Sequence, residues 1–206
     1  MESSRFVPLK ACHTAGKSVN GTGLLLVTSA YWVPSLCSYQ LLPNVAADVA
    51  SITGTNFSSW YEQSKGTVFA DVTRENPVPL TDFPAVWYAF NGTNIDDSIS
   101  MGYLTEGLGS LGIRDGGGLQ SNLFPGSLSG VRRRIMASAY KNSDTYVIYN
   151  ADTAQAKSSS GTVPSNIAKL NIGCNLYNVY QLNGTIRRVT YWPTRLSNNT
   201  LQTITQ

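Results

Sequence analysis

The chain is predicted to be all-β: a two-sheet antiparallel jelly-roll sandwich closed by a short C-terminal helix. Three observations point there. Charged residues are only 13% of the 206, about half the usual share. There are 18 glycines, 11 tyrosines and 4 tryptophans, a composition that suits turns and half-buried strands and opposes disorder. Short runs that alternate apolar and polar residues recur between Gly, Pro and Asn-Gly punctuation, and no long helical period is present.

Residues 1–42 are the least patterned and read as an N-terminal arm or first strands, with Leu24 to Val33 as a strand pair or a bent strand. Residues 43–206 read as the main domain. Ala47 to Ile52 alternates weakly and ends at Thr53-Gly54. In Gly66 to Val72, Val68, Ala70 and Val72 share one face, and Thr67, Phe69 and Asp71 share the other. Ala85 to Phe90 is an apolar strand ending at Asn91-Gly92. Ile99 to Leu104 and Leu108 to Arg114 are two more. Asp115-Gly116-Gly117-Gly118 is expected to be a flexible turn. Val131 to Tyr140 alternates most clearly, and a turn at Lys141 to Asp144 joins it to Thr145–Tyr149. Ala151 to Val163 reads as a small-residue loop. Leu170 to Gly173 and Thr185 to Tyr191 complete nine to twelve strands, with Asn183-Gly184 as a tight turn between them. One helix is expected, Asn198 to Ile204, capped by Ser197. Leu201 and Ile204 share a face there and can pin the C-terminus to the core.

Several classes are disfavoured. A net charge of +3 predicts no nucleic-acid binding. Leu24 to Val33 is broken by Thr28 and Ser29 and is too short for a membrane span. Met1 to Lys10 has no apolar core, so no signal peptide is expected. Cys12, Cys37 and Cys174 suit reduced thiols in a protein assembled in a cytoplasm, with one disulfide as the alternative. Cys12-His13 has no second pair to complete a zinc site. The three Asn-Gly-Thr sequences are better read as turn chemistry than as glycosylation sites. Glu62, Glu75 and Glu106 are isolated, so the paired acids of a glycan hydrolase are missing. His13 is the one histidine and sits outside the patterned region, which opposes a Ser-His-Asp triad. Gly16-Lys17-Ser18 lacks the first glycine of a phosphate loop.

The closing segment, Leu182-Asn183-Gly184-Thr185-Ile186-Arg187-Arg188-Val189-Thr190-Tyr191-Trp192-Pro193 followed by Arg195-Leu196-Ser197 and Leu201, resembles that of concanavalin A-like (laminin-G-like) jelly rolls, in the version found on bacteriophage tail-fibre and other virion structural proteins. Ala47 to Gly54 with Phe57 to Tyr61, Arg134 to Tyr140 with Asp144, and Pro164 with Leu170 to Gly173 resemble earlier parts of that family in the same order. The resemblance covers Pro43 to Gln206. It implies a non-enzymatic virion protein with a lectin-like domain. The leading role is tail-fibre-type binding of a host cell-surface glycan. The alternative is capsid or tail decoration, in which the same fold makes subunit contacts, and a glycan hydrolase comes third. Implied partners are other virion subunits in a homo-oligomer, a trimer among the options, with neither nucleic acid nor membrane insertion. The implied location is the virion.

Sugar binding in such folds uses aromatic platforms with a few polar groups. The candidates are Trp60, Tyr61, Trp87, Tyr88 and Tyr103, each set against core packing. Trp192, before Pro193, is expected to pack within the closing latch. Calcium supports sugar binding in some relatives, and Asp96, Asp97 and Asp115 are the loop carboxylates that offer ligands, against the plainer reading of turn-forming Asp. No other cofactor is expected. In the Arg132-Arg133-Arg134 run, alternation points Arg133 away from its neighbours, which opposes one phosphate-binding patch. Arg134 and Arg188 are expected to pair with carboxylates across strands, on a solvated or subunit-facing strand.

Overall fold

A computed structural model describes residues 25–31, 50–74, 84–103, 109–125, 133–150, 154–176, 181–182 and 184–206. They form twelve strands and two short helices. The strands are β1 Leu25–Tyr31, β2 Ala50–Thr53, β3 Lys65–Arg74, β4 Ala85–Phe90, β5 Ser98–Tyr103, β6 Gly109–Asp115, β7 Gly118–Leu123, β8 Arg133–Lys141, β9 Asp144–Tyr149, β10 Ala154–Ser158, β11 Lys169–Ile172 and β12 Gly184–Trp192. The helices are α1 Thr55–Ser58 and α2 Asn198–Ile204. The first sheet runs β1-β12-β3-β8-β9-β10 and the second β2-β11-β4-β5-β6-β7. Every strand pairing is antiparallel.

Register explains the core. Side chains alternate between faces, so residues aligned across a sheet form rows that point the same way. In the second sheet one row is Ile52, Leu170, Ala89, Ile99, Ile113 and Ser121. A second row is Ala50, Ile172, Trp87, Met101, Leu111 and Leu123. These rows meet Val68, Ala70, Val72, Met136, Tyr140, Val147, Tyr149, Val189 and Tyr191 from the first sheet in one core. The polar member, Ser121, reaches Thr145 Oγ1 at 3.1 Å across the core, which offsets the cost of burying both hydroxyls.

The first sheet has a second apolar layer on its outer face. Phe69, Ala137, Ala139, Tyr146 and Ile148 are buried there beneath Leu201 of α2, with Trp192, Leu196 and Ile204 around them. The latch before α2 is held by Thr67 Oγ1, which donates to the Thr194 carbonyl (2.8 Å) and accepts from the Leu196 amide (2.9 Å). Arg195 reaches Asp144 Oδ1 at 2.8 Å and Asn198 Oδ1 at 2.6 Å. Ser197 caps α2 by accepting from the Thr200 amide at 3.1 Å, and satisfying that otherwise orphaned donor stabilises the helix.

The expected helix, its cap, the latch role of Trp192 and the faces of Val68 to Asp71 all hold. Residues 25–31 form a strand of the first sheet, paired with β12. Other expectations change. Ala151–Val163 is not a loop throughout, because β10 forms within it as the partner of β9. Only Gly116 and Gly117, with φ of 57° and 79°, form the turn after β6. Asp115 and Gly118 already pair with each other, and the polar run behind them is strand β7. Their small and polar residues have little intrinsic strand preference, and pairing with a neighbour overrides it. The helical turn α1 was also not anticipated. Strands β11 and β12 are not a hairpin: they belong to opposite sheets. Gly184 opens β12 because a Cβ there would lie 2.2 Å from the Thr73 carbonyl oxygen. Asn183 lies outside the described residues. β8 is solvated only at its ends, at Arg133 and Lys141. It is central, and Met136 to Tyr140 are buried on both faces. Arg134 is buried on the inward-facing side, and its neighbour Arg133 pairs with Asp71 across the strands. Arg188 instead lies over the Phe69 ring. Among the described residues no helix is long and apolar enough to cross a membrane.

Candidate functional site

Three of the five aromatic candidates gather at one end of the core. Phe57 stacks on Tyr61 (centroids 4.5 Å apart), Tyr61 on Tyr191 (5.4 Å) and Tyr191 on Trp87 (5.6 Å), while Trp60 meets all four edge-on. Gly66 makes room for this group. A Cβ there would lie 2.6 Å from the Tyr140 hydroxyl and 2.7 Å from the Tyr191 ring. The Tyr140 hydroxyl bonds to that of Tyr61 at 3.3 Å, and Tyr191 accepts from the Glu62 amide at 3.1 Å. Burial drives all three phenols up, Tyr61 and Tyr140 far above the usual range and Tyr191 to about 12, so they stay neutral. Trp87 is 0% exposed and Tyr61 7%. Their rings are spent on packing and offer no face to a ligand. Trp60 is half-buried, and its indole N–H donates to the Asn56 carbonyl. The side chain of Tyr103 lies outside the described residues.

Tyr88 differs. It alternates with Trp87 and faces outward from the second sheet. Its register row is Ser51, Asn171, Tyr88, Ser100, Gly112 and Asn122. The next outward row is Thr53, Lys169, Phe90, Ser98, Arg114 and Leu119. The turn after β11 folds toward Asn171, whose Nδ2 donates to the Asn175 carbonyl at 2.8 Å. No described strand or helix lies across the rest. Ser98, Ser100 and Gly112 make a low floor between Tyr88 on one side and Asn122 and Arg114 on the other. Ser100 Oγ donates to the Gly112 carbonyl at 3.4 Å, and a Cβ on Gly112 would lie 2.9 Å from that hydroxyl. Tyr88 packs edge-on against Phe90 at 5.6 Å, and Lys169 Nζ sits 5.5 Å over the Phe90 ring. Arg114 is oriented by donating to the Gly117 carbonyl at 3.3 Å. These two rows hold two cations and no carboxylate. An aromatic flank, hydroxyl and amide groups on a low floor, and a fixed guanidinium can hold a polar ligand with one apolar face.

The three aspartates lie at the turn end of the same sheet, each with its own partners. Asp97 Oδ1 accepts from the Gly116 amide at 2.8 Å, and Oδ2 accepts from Asn166 at 2.8 Å and Asn91 at 3.3 Å. Those bonds, Asn166 foremost, hold its carboxyl below the ordinary carboxylate value. Asp96 accepts from the Gly117 amide through its backbone carbonyl at 3.0 Å. Asp115 accepts from the Thr162 hydroxyl. Asn91 Oδ1 accepts from the Thr93 and Asn94 amides, the turn chemistry expected of Asn91-Gly92-Thr93. Both Asp97 oxygens are thus engaged in joining loops. Among the described residues no three His, Cys, Asp or Glu side chains stand together as a metal site would require. Glu62 is held by the Ser64 hydroxyl and amide, which lower its pKa. His13, Glu75 and Glu106 lie outside the described residues.

Ser100, Gly112, Arg114 and Asn122 were not singled out from sequence. Alternation puts Ser100, Gly112 and Arg114 on polar faces, but only the register sets them beside Tyr88.

No family model and no curated protein matches the chain. Solved structures do resemble it. The CBM40 carbohydrate-binding module of the Ruminococcus gnavus IT-sialidase gives a TM-score of 0.67 at 13% identity, over 90% of this chain and 100% of the module. The same module bound to α2,3-sialyllactose gives 0.66 at 14%, over 90% and 99%. The leech intramolecular trans-sialidase gives 0.65 at 11%, over 88% of this chain but 27% of that enzyme. At such identities the likeness establishes the fold alone: a two-sheet antiparallel β-sandwich.

Proposed function

We propose that this chain is a non-enzymatic bacteriophage virion protein whose lectin-like domain binds a host-surface glycan on the outer face of the second sheet. The observation that carries the reading is the pair of outward rows built on Tyr88, Ser100, Gly112, Asn122 and Arg114. Tyr88 would meet the C–H face of a sugar, and the polar groups would fix its hydroxyls. The sandwich shared with a sialyllactose-binding module supports a glycan ligand, and the two cations on this face, Arg114 and Lys169, favour an acidic one. The resemblance of the closing segment to tail-fibre jelly rolls supports the virion setting and an oligomer. The test is a glycan array that includes α2,3- and α2,6-sialyllactose, run with the wild type and with Tyr88→Ala and Arg114→Ala. Competable binding that falls about tenfold or more in both variants is expected. Binding unchanged in both would move the site elsewhere, and no binding at all would leave the assembly role.

That second reading, decoration or assembly through subunit contacts, has its own support. Ile95, Leu119 and Phe124 are the exposed large hydrophobics among the described residues. Two of them flank the ends of the edge strand β7, where a neighbouring subunit could cover them.

A further inference from the structure

The first sheet assembles three arginines that the chain keeps apart. Arg133 opens β8, Arg187 and Arg188 lie in β12, and β3 runs between those strands. Strict alternation would send Arg187 and Arg188 to opposite faces. A β-bulge between Ile186 and Arg188 prevents that. Both arginines are exposed while Ile186 and Val189 on either side are buried. Re-aiming a side chain is what a bulge does, at the expense of ladder regularity. Across the sheet, Arg133 holds Asp71 with two bonds, Nε to Oδ1 at 3.0 Å and Nη2 to Oδ2 at 2.9 Å. Asp71 is the register partner of Arg188. Arg188 is fixed in turn, its guanidinium 5.4 Å over the Phe69 ring and its Nε donating to Thr190 Oγ1 at 3.0 Å. Arg187 makes no ion pair among the described residues. Arg133, Arg187 and Arg188 are therefore all exposed on this sheet, and one of them is paired with Asp71.

We infer that this corner docks an acidic peptide segment of a protein partner, one that carries at least two carboxylates. Charge and size select that occupant. Asp71 offsets one of the three cations, and the remainder matches a pair of carboxylates rather than a polyanion. The two left over, Arg187 and Arg188, are consecutive residues of β12, so their Cα atoms stand about 3.8 Å apart, within the span of two acidic residues of one peptide. A duplex nucleic acid is held by roughly six to ten phosphate contacts, more than this corner can offer. Guanidinium pairs carboxylate in a planar, two-bond geometry, and Arg133 already displays that geometry with Asp71. The glycan face lies on the other sheet and plays no part.

The test is fluorescence anisotropy of a fluorescein-labelled hexaglutamate peptide titrated with the full chain at low salt. Saturable binding is expected. It should weaken about tenfold in the Arg187→Ala/Arg188→Ala double variant and fall steeply as salt is raised. Thermal unfolding of the double variant checks that the sheet is intact. Should it unfold, the single exposed change Arg187→Ala carries the test, with about a threefold loss expected. No binding by the wild type overturns the inference, as does binding that folded variants leave unchanged. Tighter, equally arginine-dependent binding of a labelled thymidine oligonucleotide or a heparin-derived oligosaccharide would also overturn it.

Discussion

The two outer faces of this sandwich are built from the same alternation and end in opposite states. On the first sheet the outward side chains Phe69, Ala137, Ala139, Tyr146 and Ile148 are apolar and lie under Leu201 and the latch. On the second sheet the outward rows are mostly polar or small, and no described strand or helix covers them. A sheet face that carries a covering helix must be apolar to hold it, because non-directional burial supplies the adhesion. A face left to a ligand must stay polar to remain soluble and to hydrogen-bond. The contrast separates a closed face that serves stability from an open face to which ligand recognition is proposed, so changes on each should separate cleanly.

The largest expected effect is on the closed face. Leu201→Ala removes the central contact between α2 and the sheet and should cost about 2–5 kcal/mol, read as a lower midpoint in urea unfolding. If the protein loses less than about 1 kcal/mol, α2 is not the cover proposed for that face. Thr67→Val deletes a hydroxyl that serves two latch groups, the Thr194 carbonyl and the Leu196 amide. A loss of about 1–3 kcal/mol is expected. Ser197→Ala removes the α2 cap and should cost about 1 kcal/mol, with helix fraying visible in amide exchange at Thr200.

On the open face the signs reverse. Arg114→Ala and Asn122→Ala should change stability by no more than about 0.5 kcal/mol, while glycan binding on the array falls. A variant that lost stability and kept binding would break the division between faces. Treatment with a chelator is expected to leave glycan binding unchanged, because both Asp97 oxygens already serve amide donors. The smallest effect concerns acid. Asp97 titrates below its ordinary value when folded, so the stability it contributes is present above about pH 4 and is lost as pH falls through the lower, folded value. Asp97→Asn should therefore make the acid limb of a thermal-midpoint profile slightly shallower, and an unchanged limb would mean those loop bonds contribute nothing.

Much of the closed face was legible beforehand. The split of Val68, Ala70 and Val72 from Phe69 and Asp71 follows from period two, and Ser197 with Leu201 and Ile204 follows from cap chemistry and helical spacing. These are local rules, and they held. The aromatic candidates show where locality ends. Trp87 and Tyr88 are adjacent and chemically alike, yet one is buried against Tyr191 and the other faces outward. Alternation requires that they part, but does not say which face will be covered. The arginines make the same point. The run at Arg132 to Arg134 looked divided by alternation, and its true companions, Arg187 and Arg188, lie more than fifty residues away and reach one face through a bulge.

Alternation, turn residues and a helix cap were enough to specify an all-β chain with a helical tail, because each acts within a few neighbouring residues. Folding alone chose which strands share a sheet, which row meets which, and which outward surface the tail would cover. Those choices depend on pairings between distant segments, and no local stretch of chain carries the energy of a contact it makes only after collapse.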